Sequence, residues 1–364
     1  MSLLEVTNLR VSFPTSDGLV QAVRGVSFRV ERGQTLGIVG ESGSGKTVCT
    51  QTLLRLTPGA DVSGSAMFDG VNLLTVSTDE MRHIRGAQIA AIFQDPLTSM
   101  HPLYRVGWQI SEMIRAHDKS VTKAQAQRRV AELLTQVGIP QAARRADDYP
   151  HQFSGGMRQR AMIAMALALN PKLIIADEPT TALDATVQAQ ILDLLVRLQR
   201  EYDTAIIMIT HDLGVIADLA DDVMVMYAGR AAEYADRRTL FYRAHHPYTK
   251  GLLQSIPGSA GATERLVPIA GQPPSLINVP SGCGFHPRCG YVMDRCIDET
   301  PPLITLASEG GAHRSACFLP PQATGMGDDA EALRQEAVAA NRTGRARAIA
   351  EASVPAASAE GDVA

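Results

Sequence analysis

No stretch of this chain is apolar for long enough to cross a bilayer. The longest such run in its central region, Ala161 to Leu169, has nine residues, against the roughly twenty that a spanning helix needs. The N-terminus, MSLLEVTNLRVSF, alternates as a strand does and lacks the continuous apolar block of a signal peptide. A surplus of positive charge is missing too: 34 Lys and Arg stand against 38 Asp and Glu, the formal net charge is −4 and the pI about 6.1. Such a balance argues against a nucleic-acid partner. These absences predict a cytoplasmic protein that reaches a membrane only by docking on a separate transmembrane partner. Large apolar side chains are scarce after Pro321, where fourteen of forty-four residues are alanine, so residues 321–364 read as a mobile tail. What the 364 residues do hold is 45% hydrophobic content, enough for one large α/β domain with an appendage.

Chemistry enters with GESGSGKT at Gly40 to Thr47. A Gly-x4-Gly-Lys-Thr spacing lets backbone N–H groups turn around nucleotide phosphates while a helix N-terminus adds partial positive charge. Leu36 to Val39 is a short apolar run before the loop, and Val48 to Leu56 can continue as a helix, which is the strand, loop, helix order the motif requires. The candidate nucleotide-binding set is Gly40, Glu41, Ser42, Gly43, Ser44, Gly45, Lys46, Thr47 and Val48. Lys46 would reach the β- and γ-phosphates, and the Thr47 hydroxyl would bind Mg²⁺.

Three more apolar segments end in groups suited to metal or phosphate. Leu173 to Ala176 delivers Asp177 and Glu178, Gln88 to Phe93 delivers Gln94, and Ala205 to Thr210 delivers His211. Open α/β sheets gather ligands at the C-terminal ends of their strands. Asp177 can therefore face Mg²⁺ while Glu178 polarises the attacking water. Gln94 senses Mg²⁺ or that water, and His211 holds the γ-phosphate.

The second informative string is FSGGMRQR at Phe153 to Arg160. Ser154 is placed to cap a helix running toward Leu169, and two glycines at an exposed helix start let backbone approach a phosphate. With the loop at Gly40 it resembles the ABC ATPase family from the N-terminal strands to about Cys317. The resemblance implies an α/β P-loop NTPase of RecA-like type: an ABC nucleotide-binding domain with an antiparallel β subdomain, a helical subdomain and a small C-terminal metal-binding extension. It makes Leu173 to Asp177 the Walker B strand, Glu178 the catalytic glutamate, Gln94 the Q-loop and His211 the switch histidine. Ala182, Leu183 and Asp184 look like the D-loop, and Phe13 sits where an aromatic residue stacks on adenine. Ser154, Gly155, Gly156 and Met157 resemble the signature, which usually reads LSGGQ; Met at the fifth position recurs in the peptide-importer branch. In that family the signature closes over the nucleotide of a partner subunit, so the resemblance implies an ATP-sandwiched dimer.

Organisation follows. Residues 1–95 and 166–245 read as the ATPase core, with a strand turn at Thr15 to Gly18. Residues 96–165 read as the helical subdomain: Val130, Leu133, Leu134 and Val137 fall at i, i+3, i+4, i+7, between a Thr122 cap and a Gly138 stop. The segment QDPLTSMHP, Gln94 to Pro102, lies where family members receive a coupling helix from the transmembrane subunit. Residues 246–320 form the extension. Its strings HPYTKGLLQSIP and GQPPSLINVPSGCGFHPRC resemble those of oligopeptide- and dipeptide-importer ATPases.

Four of the five cysteines, Cys283, Cys289, Cys296 and Cys317, fall in this extension with spacing C-x5-C-x6-C-x20-C. A cytoplasmic chain does not keep them as disulfides. Three readings remain: a [4Fe-4S] cluster, which the resemblance favours, a structural Zn²⁺, or unligated thiols. His286 and His313 are possible substitute ligands, and the C-x2-4-C pairs of zinc ribbons are absent. Cys49 reads as a small buried residue.

The function implied is an ATPase subunit that drives peptide import, using ATP and Mg²⁺. Its partners would be a second homologous ATPase in a heterodimer, two transmembrane permease subunits and an extracytoplasmic solute-binding protein, at the inner face of the cell membrane. Related importers carry nickel chelates, glutathione, opines or glycans instead. A soluble ABC protein of translation or repair is the other class, but such proteins carry a second ATPase domain or a long coiled-coil insert, and neither occurs here.

Overall fold

The computed structural model describes residues 2–181, 183–256, 268–306, 312–325, 329, 331–336 and 338, with the backbone alone at 97 and 98. A hairpin comes first: β1 (Leu4–Thr15) and β2 (Gly18–Val30) pair antiparallel, with Thr15 opposite Gly18. Then follow β3 (Thr35–Val39), α1 (Lys46–Leu53), β4 (Asp61–Phe68), β5 (Val71–Asn72), α2 (Thr78–Ile84) and β6 (Ile89–Ile92). The helical section holds α3 (Pro96–Ser99), α4 (Val106–His117), α5 (Lys123–Gln136), α6 (Ala142–Arg145) and α7 (Gly155–Leu167). The chain returns through β7 (Leu173–Asp177), α8 (Ala185–Tyr202), β8 (Ala205–Thr210), α9 (Leu213–Leu219), β9 (Asp222–Tyr227) and β10 (Arg230–Asp236). Helices α10 (Arg237–Arg243), α11 (Pro247–Gln254) and α12 (Arg295–Asp298) and the short strands β11 (Ile304–Thr305) and β12 (Arg314–Ser315) complete it.

Among the described residues the strands form two sheets, in the orders β2-β1-β4-β5 and β11-β12-β10-β9-β3-β8-β7-β6. In the larger sheet β6, β7, β8, β3 and β9 run parallel. Its central strands are apolar over most of their length because both faces are covered. On β8, Ile206 and Met208 pack against the helices, while Ile207 and Ile209 pack toward the smaller sheet beside Leu36 and Ile38 of β3. That parallel order brings the C-terminal ends of β3, β8, β7 and β6 side by side, which is the fact that positions the site.

Local signals acted where they were read. Thr122 and Gln125 form a reciprocal capping box at the start of α5, and Gly138 ends it at φ 78°. Ser154 caps α7, accepting from the Met157 N–H at 3.3 Å. β4 and β5, which complete the smaller sheet, carried no comparable signal, since Asp61 to Ser65 is mostly small, polar and exposed.

The extension does not hang from the core. Its strand β12 pairs antiparallel with β10. Glu233 of β10, fully buried, accepts from the N–H groups of His245 (2.7 Å) and His246 (3.0 Å) and pairs with His313 Nε2 at 2.6 Å. Burial pushes the Glu233 carboxyl up, but these hydrogen bonds outweigh it and hold it below its ordinary range. His246 in turn caps α11 by accepting from the Tyr248 N–H at 3.1 Å, with Pro247 at the first helical position. The HPY string is thus a helix start built on a buried carboxylate.

Residues 321–364, expected from composition to form a mobile tail, include a short described helix. Residues 331–336 are helical, and the fully buried Arg334 donates to the carbonyls of Ala323 (2.8 Å) and Gly325 (2.6 Å). Tyr291 of the extension donates to Glu331 at 2.6 Å, and Val338 is buried near Met293. A buried cation that donates to two carbonyls, rather than an apolar stripe, helps dock this helix, so a search for apolar periodicity misses it. Residues 339–364 lie outside the described residues.

Candidate active site

The loop after β3 passes very close to its neighbours. A Cβ on Gly40 would collide with the Met226 carbonyl and one on Gly45 with the Ala22 carbonyl, and both glycines have positive φ. Gly43, at φ 77°, faces open space at the loop's crest. Ser44 is buried and its Oγ has no hydrogen-bond partner, an orphan of the kind a ligand would satisfy. Lys46 folds over the loop and donates through Nζ to the carbonyls of Gly40 (2.7 Å) and Glu41 (3.0 Å). Burial lowers its basicity, against the opposing charges of Glu178, Asp177 and Glu41.

The magnesium candidates meet beside it. Thr47 Oγ1 donates to Asp177 Oδ1 at 3.1 Å, joining the start of α1 to the end of β7. Burial raises the Asp177 carboxyl above its ordinary range; the Thr47 hydrogen bond opposes the shift and the Glu178 charge adds to it.

Glu178 is the hub. Its carboxylate accepts from Gln94 Nε2 at 3.1 Å and Thr181 Oγ1 at 2.8 Å, and lies 3.1 Å from His211 Nδ1. Gln94 and His211, predicted from two separate strand ends, therefore converge on the carboxylate predicted from a third. Burial pushes its carboxyl up, yet the hydrogen bonds from His211 and Thr181 and the charges of His211 and Lys46 outweigh that and hold it below its ordinary range. Glu178 also has φ 46°, the left-handed region that costs a non-glycine residue of order 1–3 kcal/mol and that clusters at functional sites. Thr181, the residue sequence reasoning missed here, follows Pro179 and Thr180 in a turn with no motif of its own.

The signature residues lie elsewhere, at the start of α7 in the helical layer. Ser154 and Gly155 are exposed. A Cβ on Gly156 would sit 2.7 Å from Val187 of α8, so this glycine is needed for packing as well as for access. Met157 is half-buried against the helical core. Asp184 caps α8 by accepting from the Val187 N–H at 3.0 Å, whereas Ala182 lies outside the described residues. Phe13 stands opposite Val20 in the hairpin and packs partly against the core beneath it.

Glu41, within the candidate nucleotide set, also has partners outside the loop. Its side chain turns outward to Arg288, and its N–H donates to Tyr248 Oη at 2.8 Å. Neither partner was foreseen.

The four extension cysteines line one small apolar pocket, together with His246, His286, Tyr291 and Met293. Burial raises all four thiols above their ordinary range, Cys289 to about 12. A metal-binding extension is not shown: among the described residues no three His, Cys, Asp or Glu side chains form a group that could hold a metal ion. His313 pairs through Nε2 with Glu233 and is not among the residues lining the cysteine pocket. Cys49 is fully buried, as its position predicted.

Residues 23–181 match the ABC transporter family, and residues 232–296 match the oligopeptide/dipeptide transporter C-terminal region. Over 309 residues the chain is 50% identical to the oligopeptide transport ATP-binding protein OppD of Bacillus subtilis (strain 168), covering 84% of this chain and 86% of that one. Over 322 residues it is 46% identical to the dipeptide transport ATP-binding protein DppD of Escherichia coli (strain K12), covering 88% and 97%. Among solved structures, the dimeric bacterial ABC transporter cassette MJ0796 superposes with a TM-score of 0.59 at 26% identity, over 65% of this chain and 99% of that one.

Proposed function

The chain belongs to the ABC transporter ATP-binding proteins of the oligopeptide/dipeptide branch, and from that premise we propose that it hydrolyses ATP to drive uptake of oligopeptides or dipeptides across the cell membrane. The observation that carries the catalytic reading is the convergence of Gln94, Thr181 and His211 on the Glu178 carboxylate, beside the Thr47 to Asp177 contact.

Within one subunit the roles divide by position. The backbone of Gly40 to Val48 and the Lys46 ammonium hold the phosphates, and adenine stacks on the half-exposed Phe13. Thr47, Asp177 and Gln94 would hold Mg²⁺, which would neutralise phosphate charge. Glu178, kept ionised, accepts a proton from the attacking water while His211 stabilises charge on the γ-phosphate oxygens. Ser154, Gly155, Gly156 and Met157, with Asp184, serve the nucleotide on a second homologous ATPase, so a heterodimer is the working unit. Exposure of the signature start supports this.

Residues 1–95 and 166–245 act as the ATPase core, 96–165 as the helical subdomain and 246–320 as the extension. Among the described residues no helix is long and apolar enough to cross a membrane; two permease subunits supply the path and a solute-binding protein the cargo. Beside the Gln94 to Pro102 segment, Leu103, Tyr104 and Trp108 are exposed, and the two rings stack at 4.3 Å. An exposed apolar patch of this kind suits a coupling helix from a permease.

For the cysteines we propose a [4Fe-4S] cluster over Zn²⁺. What supports a shared centre is that Cys283, Cys289, Cys296 and Cys317 all line one apolar pocket, and the resemblance to peptide-importer ATPases favours the cluster over the single ion. Anaerobic purification of the full chain should then give bound iron and a broad visible absorption band; a colourless zinc-loaded protein would sink this part. The function is tested by co-purification with two multispanning subunits and a second ATPase, with ATP-dependent peptide uptake in vesicles. Isolation as a ribosome-bound monomer would overturn it.

A further inference from the structure

The nucleotide loop is gripped from outside by a residue 247 positions away. Arg288, beside Cys289, donates through Nη1 to Glu41 Oε2 at 2.6 Å and through Nη2 to Glu41 Oε1 at 3.0 Å, a two-pronged contact. The arginine side chain is only 5% exposed and the glutamate 25%. Arg288 is itself fixed: Nε donates to the Ala270 carbonyl at 2.8 Å, Nη1 to Tyr227 Oη at 3.3 Å, and the guanidinium lies 5.9 Å from the ring centres of Tyr227 and Phe285. A second hold comes from α11, where Tyr248 Oη accepts the Glu41 N–H at 2.8 Å. The extension thus holds Glu41 by both its backbone and its carboxylate.

Glu41 is also where the loop holds itself. Its carbonyl accepts from Lys46 Nζ at 3.0 Å and from the Ser44 N–H at 3.2 Å. One residue therefore joins the extension to the phosphate-binding lysine and to the turn that shapes the loop. The next part of the loop has little support of its own, since Ser42 and Gly43 are exposed and nothing approaches the Cβ position of Gly43 within 4 Å. A loop of that kind loses conformational entropy when a ligand orders it, and a contact that orders it beforehand raises affinity without touching the ligand.

We infer that Arg288 is a positioning residue for nucleotide binding: by clamping the Glu41 carboxylate it pre-shapes the Gly40 to Thr47 loop, so that the packing of the C-terminal extension sets the loop's affinity for ATP. The inference rests on the reading of that loop as the nucleotide site and adds its control. Glu178, Gln94 and His211 are not touched by Arg288, so affinity should move while the chemical step does not. Lysine cannot reproduce the fork and should restore little.

The test uses the full-length chain with Mg²⁺ and a fluorescent ATP analogue, alongside steady-state hydrolysis. Arg288→Met should raise the Kd and the KM for ATP about tenfold, roughly 1.4 kcal/mol, with kcat within about twofold. Arg288→Lys should recover less than half of the lost affinity. Glu41→Gln should weaken binding similarly, and the double variant Arg288→Met/Glu41→Gln should be no weaker than Glu41→Gln alone, because both act through one contact. Lys46→Ala separates the premise from the inference. If Lys46→Ala abolishes binding while Arg288→Met binds as the wild type does, the loop reading stands and the clamp is refuted. If Lys46→Ala binds normally, the premise falls and the clamp with it. Weakened binding in Arg288→Met that is additive with Glu41→Gln, or a fall in kcat as large as the rise in KM, would assign Arg288 a folding role and overturn the proposal.

Discussion

Replacing Glu178 by glutamine removes a charge from the centre of the site and little else. The wild-type carboxylate accepts at 2.8 Å from Thr181 and at 3.1 Å from Gln94, and faces His211 at 3.1 Å. An amide keeps one oxygen, so it can still accept on one side, and its NH₂ can donate to His211 Nδ1 once that ring takes the other tautomer. At most one hydrogen bond is lost, about 1 kcal/mol of stability. The chemical step loses far more, because an amide cannot take the proton of the attacking water; removal of a positioned general base lowers rate by roughly 10²–10⁴, or about 3–5 kcal/mol of barrier. Lys46, Thr47 and Asp177 remain, so nucleotide affinity should change by less than about threefold, under 1 kcal/mol. The assay pairs phosphate release with nucleotide binding in the same preparation, and the variant should hold ATP in a closed dimer that gel filtration resolves. Turnover at the wild-type rate would refute the assignment of Glu178. So would a parallel collapse of binding and turnover, since the side chain would then be holding the site together rather than reacting.

Three other outcomes follow from the geometry. Gly45→Ala should abolish ATP binding, since the new methyl meets the Ala22 carbonyl at a φ of 97°; a variant that folds and binds normally would count against the loop. Ser154→Ala removes a helix cap, about 1 kcal/mol locally, and should impair hydrolysis at the partner's nucleotide while leaving this chain's own binding intact, as read by nucleotide binding to the isolated chain against turnover of the assembled dimer. Burial lowers His246 from 6.5 to about 4. A depressed pKa stabilises fully above pH 6.5 and is lost as pH falls toward 4, about 3 kcal/mol in all. Urea midpoints should therefore drop between pH 7.5 and 4.5, and His246→Gln should show a much smaller drop; equal drops would exclude this histidine as the cause.

Much of the catalytic centre was legible because its signals are local. A strand's apolar run, a glycine that must adopt positive φ and a cap three residues from its partner each act within a few positions. Leu36 to Val39, Thr122 and Ser154 therefore declared β3, α5 and α7 before any contact was known. Even the convergence of Gln94, Glu178 and His211 could be anticipated, since parallel strands in one sheet must end at one edge.

What the sequence determined by itself was thus the ATPase: its strands, its phosphate loop, and the residue types delivered to the sheet's C-terminal edge. Only the tertiary structure decided how the extension is fastened. Its strand β12 has two residues, its anchor is the buried pair of Glu233 and His313 eighty positions apart, and its helix at 331–336 docks through Arg334 and Glu331. Its hold on the nucleotide loop spans 247 positions, from Arg288 to Glu41. Apolar periodicity is averaged over a whole element and survives in the sequence. The partner of a single buried charge is set by the final packing, so it has no counterpart among its neighbours in the chain.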